Sequence, residues 1–150
     1  MKYYTDGACS GNPGAGGFGV AIYNDEDILV DFYNEDCKDT TNNREELKGI
    51  IWVMENHGLD SPIPDVYTDS SYCYNTFTSW MFTWAENNWT RNKNKKVLNL
   101  DLVQKYYNLY QDGYRINLYK IKGHSGNIGN EVADALASKK VSKFDRFSKM

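Results

Sequence analysis

Four acidic side chains lie at the ends of short apolar runs and in helical stretches that could bring them together. They are Asp6, Glu46, Asp69 and Asp134. Carboxylates a few ångströms apart repel one another, and a hard divalent cation with oxygen ligands relieves that repulsion. The pattern therefore predicts a magnesium-type site, and magnesium held by carboxylates is suited to the hydrolysis of phosphodiesters.

The composition is that of one folded domain without overall positive charge. The chain has 150 residues, 41% hydrophobic and 15% aromatic, and a formal net charge of −3. Binding of nucleic acid through overall charge is therefore disfavoured, whereas a local basic patch is still allowed. No membrane span or signal peptide is recognisable. Cys9, Cys37 and Cys73 lack metal-type spacing, so we expect free thiols in a cytoplasmic protein.

Periodicity and turn residues predict an α/β fold with the order β-β-β-α-β-α-α-β-α. Crossover helices imply parallel pairing for the later strands, whereas the opening hairpins are antiparallel, so the sheet is mixed. The predicted strands are 2–5, 18–23, 28–34, 65–69 and 114–121. The predicted helices begin at Asn42 or Asn43, after Asp69, at Asn99 and at Asn130, the last one ending at Lys140.

Apolar side chains at helical spacing predict which helix faces are buried. The expected core residues are Leu47, Ile50, Ile51 and Met54, then Cys73, Phe77, Trp80, Met81 and Trp84, then Leu102, Val103, Tyr106 and Tyr110, and last Val132, Ala133, Leu136 and Ala137. Asn42 followed by Glu45 resembles a capping arrangement, which would make Glu45 a helix cap.

A glycine-rich run at 11–19 contains a formal G-x-G-x-x-G pattern. A dinucleotide site needs a helix directly afterwards, but the next residues, 20–23, read as a strand. The run is therefore predicted to be a loop joining two strands. Its glycines indicate that a partner backbone approaches closely.

Four segments, in order, resemble type 1 ribonuclease H. They are TDGACSGNPGAGGFG at 5–19, TNNREEL at 41–47, VYTDSSY at 66–72, and KGHSG followed by NEVAD within 122–134. Together they span nearly the whole chain. Each motif is weak alone, whereas the ordered set is specific.

The resemblance implies a ribonuclease H-like fold and an enzyme that hydrolyses the RNA strand of RNA–DNA hybrids, leaving 3′-hydroxyl and 5′-phosphate ends. Asp6, Glu46, Asp69 and Asp134 match the carboxylates that hold two Mg²⁺ ions, for which Mn²⁺ can substitute. The motif register selects Glu46 rather than Glu45. His124 matches a mobile catalytic histidine, and Glu131 would be accessory at most.

The resemblance also assigns substrate contacts. Asn12 and Asn42 match residues that contact the hybrid, and Thr41 matches a phosphate contact on the DNA strand. A basic protrusion that grips the DNA strand is matched by Trp84, Trp89, Arg91, Lys93, Lys95 and Lys96. Ala85–Asn88 depart from the pattern, because well-known bacterial members carry lysine and arginine there.

The expected organisation is a catalytic domain at 1–140 and a basic tail at 141–150. The tail is either a second phosphate contact or a solubilising end. We expect a monomer with no membrane association and no obligate protein partner. A non-catalytic hybrid-binding module, and another nuclease or integrase of the same fold, are the alternatives; cleavage assays on hybrid, RNA duplex and DNA duplex separate them.

Overall fold

The structure, a computed structural model, describes residues 1–138. The strands are β1 Lys2–Cys9, β2 Gly14–Tyr23, β3 Leu29–Thr40, β4 Asp65–Thr68 and β5 Asn117–Lys120. The helices are α1 Asn42–His57, α2 Ser71–Asn75, α3 Met81–Glu86, α4 Leu100–Gln111 and α5 Ile128–Ala137. None of the helices within this described part is long and apolar enough to cross a membrane. The predicted α/β class and element order are confirmed, with one helix broken in two.

The five strands form one mixed sheet in the order β3-β2-β1-β4-β5. β2 pairs antiparallel with β3 and β1, whereas β1–β4 and β4–β5 are parallel. In the parallel pair, Tyr4 lies opposite Tyr67. Because partners keep step along parallel strands, two residues further on Asp6 comes level with Asp69. The central strand pair thus places two of the predicted acids side by side.

The sheet is covered on both faces, and each cover buries a predicted helix stripe. On one face, Leu47, Ile50 and Met54 of α1 lie in a core cluster with Phe77 and Tyr106. On the other face, Val132 and Leu136 of α5 pack on Ala21 and Tyr23 of β2. This burial of apolar surface fixes the first turn of α1 and the whole of α5 relative to β1.

The helix after β4 is not continuous. A π-helical turn at Thr76–Trp80 separates α2 from α3. Cys73, Phe77 and Met81 are buried as predicted, whereas the prediction was wrong for Trp80, which is 42% exposed. A π turn shifts the register of side chains around the helix axis, and this turns Trp80 towards solvent, whereas Trp84 still packs against the core cluster.

Several strand bounds differ from the prediction. β1 runs on to Cys9 because all eight of its residues pair with β2, so Asp6 lies inside a strand rather than after it. β3 extends to Thr40 although its second half is polar, since its partners on β2 continue that far. β5 is limited to Asn117–Lys120 because β4 offers only four residues to pair with.

The glycine run at 11–19 was predicted to be a loop joining two strands, and this is correct only for residues 11–13, because strand β2 already begins at Gly14. The close partner is the protein's own α5: a Cβ atom on Gly19 would lie 2.4 Å from Leu136 Cβ and 2.6 Å from the Ala133 carbonyl oxygen. Glycine here permits helix and sheet to touch backbone to backbone.

We predict that Gly19→Ala lowers the free energy of unfolding by about 2–3 kcal/mol, since the added methyl must push α5 away from β2. Gly49→Ala is the matched control, because its Cβ would meet no atom closer than 3.3 Å and alanine favours a helix. Urea denaturation of both variants measures the difference. Equal stabilities would show that the α5 contact is not tight.

Candidate active site

A solvent-open cleft of about 400 Å³ lies at the end of the sheet where β1 and β4 meet. It is lined by Asp6, Gly7, Ala8, Cys9, Asn42, Asn43, Glu46, Asp69, Ser70, His124 and Asp134. Five separate segments contribute to this lining: β1, the start of α1, the residues after β4, the loop before α5, and α5 itself. All five residues predicted to be catalytic therefore face one cavity.

Three of the acids form a tight group. Oxygen atoms of Asp6, Glu46 and Asp69 all lie within 4.8 Å of one another. Glu46 reaches Asp6 because the first turn of α1 rests on Gly7, where a Cβ would lie 2.4 Å from the Glu46 amide nitrogen. Asp69 is the first residue after β4. The register of β1 and β4 and the close contact at Gly7 thus bring the three carboxylates together.

Asp134 lies on the second turn of α5 and lines the same cleft, outside the tight group. Its negative charge is close enough to contribute to the raised pKa of Asp6. All four acids thus line the cleft. Three of them lie close together, and Asp134 lies outside that group.

The pKa values of the grouped acids are displaced upwards. Burial, together with the charges of Asp69 and Asp134, raises the pKa of Asp6 from its usual 3.8 to about 7. Burial and the charge of Asp6 raise the pKa of Glu46 well above its usual value. The two carboxyl groups can hydrogen-bond to each other only when one is protonated. Without a cation, the group therefore retains a proton near neutral pH.

The donor set fits a divalent cation. Within residues 1–138, no lysine or arginine forms an ion pair with any of the four acids. Glu46 Oε2 is buried and lacks a hydrogen-bond partner there. An orphaned carboxylate oxygen facing other carboxylates is suited to Mg²⁺ or Mn²⁺, which prefer oxygen ligands.

Glu45 is not a helix cap, so that prediction was wrong. Thr41 caps α1 through its side chain, which accepts a hydrogen bond from the Arg44 amide at 3.2 Å. Glu45 is 1% exposed, accepts a hydrogen bond from Thr40 Oγ1 at 2.7 Å and pairs with Lys48. One residue turns a helical side chain by about 100°, so Glu46 faces the cleft while Glu45 faces inward.

His124 lies in the loop between β5 and α5 with φ of 53°. Its side chain is exposed on the cleft rim. The adjacent Gly123 lies against Asp69: a Cβ there would be 2.8 Å from Asp69 Oδ2. The loop therefore brings the imidazole to the carboxylate group without burying it.

Asn130 is a site residue whose role the motif analysis did not assign. It is 3% exposed, and its Nδ2 donates to Asp69 Oδ2 at 3.2 Å. Its own backbone amide donates to Asn127 Oδ1, the N-cap of α5. The only sequence signal was a polar residue on the buried side of an amphipathic helix, where a hydrogen-bond partner is obligatory.

The residues assigned to substrate contacts flank the cleft. Asn12 Oδ1 accepts from the Asn42 amide at 2.9 Å, which ties the loop after β1 to the start of α1. Asn12 and Asn42 are exposed. The Thr41 hydroxyl is half-buried and caps α1. Whether these three contact substrate remains a prediction.

The predicted basic protrusion is a compact loop beside a second cavity. Trp80, Trp84, Arg91 and Lys93 line that cavity, which measures about 630 Å³. Arg91 is held by the Lys96 carbonyl through Nε at 2.8 Å. Lys95 and Lys96 are exposed, whereas Trp89 is half-buried and packs edge-on against Tyr107. Of the two tryptophans assigned to the protrusion, Trp84 lines this cavity together with Trp80, whereas Trp89 is not among its lining residues.

Residues beyond 138 lie outside the described part of the chain. They include Lys139 and Lys140 at the predicted end of α5, and the predicted tail at 141–150. The predicted boundary between domain and tail at residue 140 therefore remains a prediction.

A mixed sheet that gathers carboxylates at the junction of its antiparallel and parallel halves defines an α/β protein with oxygen ligands suited to divalent cations. The family described as RNase H matches residues 1–142. The chain belongs to the ribonuclease H family, a family of nucleases, as its motifs predicted.

Two curated relatives are similar in sequence to this chain over most of their length. Ribonuclease H of Trichodesmium erythraeum is 42% identical over 146 residues, covering 97% of this chain and 90% of that protein. Ribonuclease H of Orientia tsutsugamushi is 42% identical over 139 residues, covering 92% of this chain and 80% of that protein.

Solved structures share the fold at lower identity. The PFV RNase H domain in solution superposes with a TM-score of 0.77 at 23% identity, covering 95% of this chain and 94% of that one. LC11-RNase H1, crystallised with an RNA/DNA hybrid, gives 0.68 at 21% identity, with 95% and 96% covered. These likenesses confirm the ribonuclease H fold.

We predict that Asp6→Asn stabilises the cation-free protein above neutral pH. The pKa of Asp6 is about 7 in the folded state against a usual 3.8, so ionisation penalises folding increasingly between these values and fully above pH 7. At pH 8 in chelator, the melting temperature should rise by about 5 °C, with the gain vanishing near pH 4.

Asp112→Asn, at an exposed position after α4, is the control and should change little at either pH. Added Mg²⁺ should raise the melting temperature of the unsubstituted protein more than that of Asp6→Asn. A stability gain independent of pH would contradict the electrostatic cause.

We predict that Asn130→Ala weakens cation binding by about 10- to 100-fold, because Asp69 loses the donor that orients it. Calorimetric titration with Mg²⁺ measures this without a substrate. Glu131→Ala, at the neighbouring exposed position, is the control. Equal Mg²⁺ affinity in the two variants would show that the Asn130 hydrogen bond does not support the site.

Proposed function

We propose that this protein hydrolyses the RNA strand of RNA–DNA hybrids. The observation that carries the proposal is the convergence of Asp6, Glu46 and Asp69 within 4.8 Å, with no cationic side chain paired to them within residues 1–138. Membership of the ribonuclease H family supports the substrate class.

The proposed mechanism uses two divalent ions. The four acids of the cleft would hold them: Asp6, Glu46, Asp69 and Asp134. When bound, such ions supply Lewis acidity that activates water and offsets charge on the phosphate. Asn130 orients Asp69 through its Nδ2. His124 moves a proton between cleft and solvent at an imidazole nitrogen, a role suited to an exposed ring on the cleft rim.

Hybrid recognition is proposed for two places, the residues beside the cleft and the second cavity. The Asn12 amide is oriented by its bond to Asn42, which leaves Nδ2 to donate to a substrate oxygen. Short polar groups of this kind recognise 2′-hydroxyls and phosphates without reading bases. Trp84, Arg91 and Lys93 lie together at the second cavity, where aromatic faces and cations suit a sugar–phosphate backbone.

The finer assignments are also part of the proposal. The metal is Mg²⁺, with Mn²⁺ able to replace it, and the products carry 3′-hydroxyl and 5′-phosphate ends. The protein acts as a monomer in the cytoplasm, which agrees with the three free cysteines of the described residues.

Asp69→Asn should abolish cleavage of a labelled RNA–DNA hybrid in Mg²⁺, because a neutral amide is a poor ligand for a hard cation. Asp65→Asn, at the opposite end of the same strand β4, is the matched control and should retain activity. Unchanged circular dichroism shows that both variants fold. Hybrid, RNA duplex and DNA duplex are compared, each with Mg²⁺ and with chelator. Full activity of Asp69→Asn would refute the site, and equal cleavage of all three duplexes would refute the substrate.

A further inference from the structure

Glu45 is a buried carboxylate outside the cleft. It is 1% exposed, although it directly precedes Glu46 at the start of α1. Its Oε2 atom has two partners: the Thr40 hydroxyl donates to it at 2.7 Å, and Lys48 Nζ lies at 2.7 Å. Its Oε1 atom is buried and has no hydrogen-bond partner among residues 1–138. One carboxylate oxygen thus joins the end of β3 to α1.

Stability alone does not account for a carboxylate at this position. Burying a carboxylate is costly, and a buried ion pair seldom stabilises a fold more than apolar side chains of the same volume do. The cost is increased here, since Oε1 of Glu45 is left without a partner. A hydrogen-bonded carboxylate provides direction, because it holds its donor at a defined distance and angle. The donor that Glu45 holds in this way is Thr40.

Thr40 is held from several directions at the end of β3. It is 4% exposed, and its backbone pairs with Gly14 of β2. Its carbonyl oxygen accepts from the Cys9 thiol at 3.2 Å, and a Cβ atom on Gly16 would lie 2.9 Å from its Cγ2 atom. These three contacts come from β1, β2 and the residues between them. The bond to Glu45 comes from α1, so it ties the end of the sheet to the helix.

The two residues after Thr40 lie where the proposed function places the substrate. Thr41 caps α1 through its hydroxyl, and Asn42 lines the cleft and donates its amide to Asn12 Oδ1 at 2.9 Å. One planar peptide bond joins Thr40 to Thr41, so the position of Thr40 determines where this turn begins. Asn42 is exposed, whereas the bond between Thr40 and Glu45 is buried. The buried bond therefore anchors the inner end of an exposed turn.

We propose that Glu45 is a positioning residue for hybrid binding, which acts through Thr40 to fix the turn that carries Thr41 and Asn42. The inference rests on the proposed function, since it presumes that Thr41 and Asn42 contact a hybrid. Neighbouring acids then have separate roles: Glu46 holds cations, and Glu45 holds the turn that binds the substrate. Loss of the Thr40 bond should weaken hybrid binding while the carboxylates of the cleft keep their affinity for cations.

The test measures kcat and KM for a labelled RNA–DNA hybrid in Mg²⁺, together with the melting temperature and the calorimetric Mg²⁺ affinity of each variant. Glu45→Met removes the acceptor and keeps a side chain of similar length, Thr40→Val removes the donor, and a double variant removes both. Glu45→Gln keeps an oxygen atom that can accept from Thr40. Glu55→Met is the matched control, because it makes the same change at an exposed position of α1, where Glu55 pairs with Lys105.

We expect KM to rise about tenfold in Glu45→Met and in Thr40→Val, the effect of losing one hydrogen bond to a charged group, with kcat and Mg²⁺ affinity unchanged. The double variant should show the same rise in KM rather than the product of the two, because both substitutions remove one interaction. Its melting temperature should stay close to that of the unsubstituted protein, since both hydrogen-bonding partners are replaced by apolar groups. Glu45→Gln and Glu55→Met should leave KM unchanged.

Several results would overturn the proposal. An unchanged KM with a lowered melting temperature in Glu45→Met would assign Glu45 to stability alone. A joint fall in Mg²⁺ affinity and kcat would assign it to the support of Glu46. A rise in KM in Glu45→Gln equal to that in Glu45→Met would show that the charge beside Lys48 matters rather than the bond to Thr40. An equal rise in Glu55→Met would show a general charge effect.

Failure of the proposed function gives a different result, because the unsubstituted protein then does not cleave the hybrid in Mg²⁺. Amide hydrogen exchange measured by NMR tests the positioning without a substrate. We expect the Asn42 amide, which donates to Asn12, to exchange faster in Glu45→Met and at its usual rate in Glu55→Met. If the unsubstituted protein cleaves the hybrid and Glu45→Met changes neither KM nor this exchange rate, only the inference about Glu45 fails.

Discussion

Repulsion between carboxylates is the constraint that the rest of this fold must withstand. Asp6, Glu46 and Asp69 are held within 4.8 Å, and burial raises the pKa of Asp6 to about 7. Left to itself, such a group would spread apart or stay protonated. Strand pairing and two helix–sheet interfaces fix the backbone on either side of each acid. The site is thus maintained at a cost in stability that a cation removes on binding.

Two glycines allow the helices that carry site residues to contact the sheet closely. At Gly7 the first turn of α1 touches β1, and at Gly19 α5 touches β2. Both contacts would be blocked by a Cβ atom, so the helices sit closer to the sheet than side chains allow. Glu46 lies on α1 and Asp134 lies on α5. Their positions are therefore set by backbone contact, which tolerates less movement than side-chain packing.

The sequence predicted the fold class, the four acids and the buried helix stripes, because periodicity and ordered motifs are local signals. It failed where tertiary contacts override local pattern. The glycine run is predicted to be a loop because nothing in its sequence indicates that α5 packs directly against Gly19. Helical spacing predicts Trp80 in the core, because the π turn Thr76–Trp80 that contains it leaves no mark in the sequence. Asn130 looked like an ordinary helix residue, and only the fold brings it to Asp69.

The bond between Asn12 and Asn42 has a consequence for substrate choice. It joins two segments from distant parts of the chain through a 2.9 Å hydrogen bond beside Asn42, a residue that lines the cleft. Under the proposed function, the two side chains present a rigid polar pair to the backbone of the substrate. A duplex then fits or fails by the width of the groove that it presents, a property in which A-like and B-form helices differ. The protein would then distinguish duplexes by their shape, without any contact between this residue pair and a base.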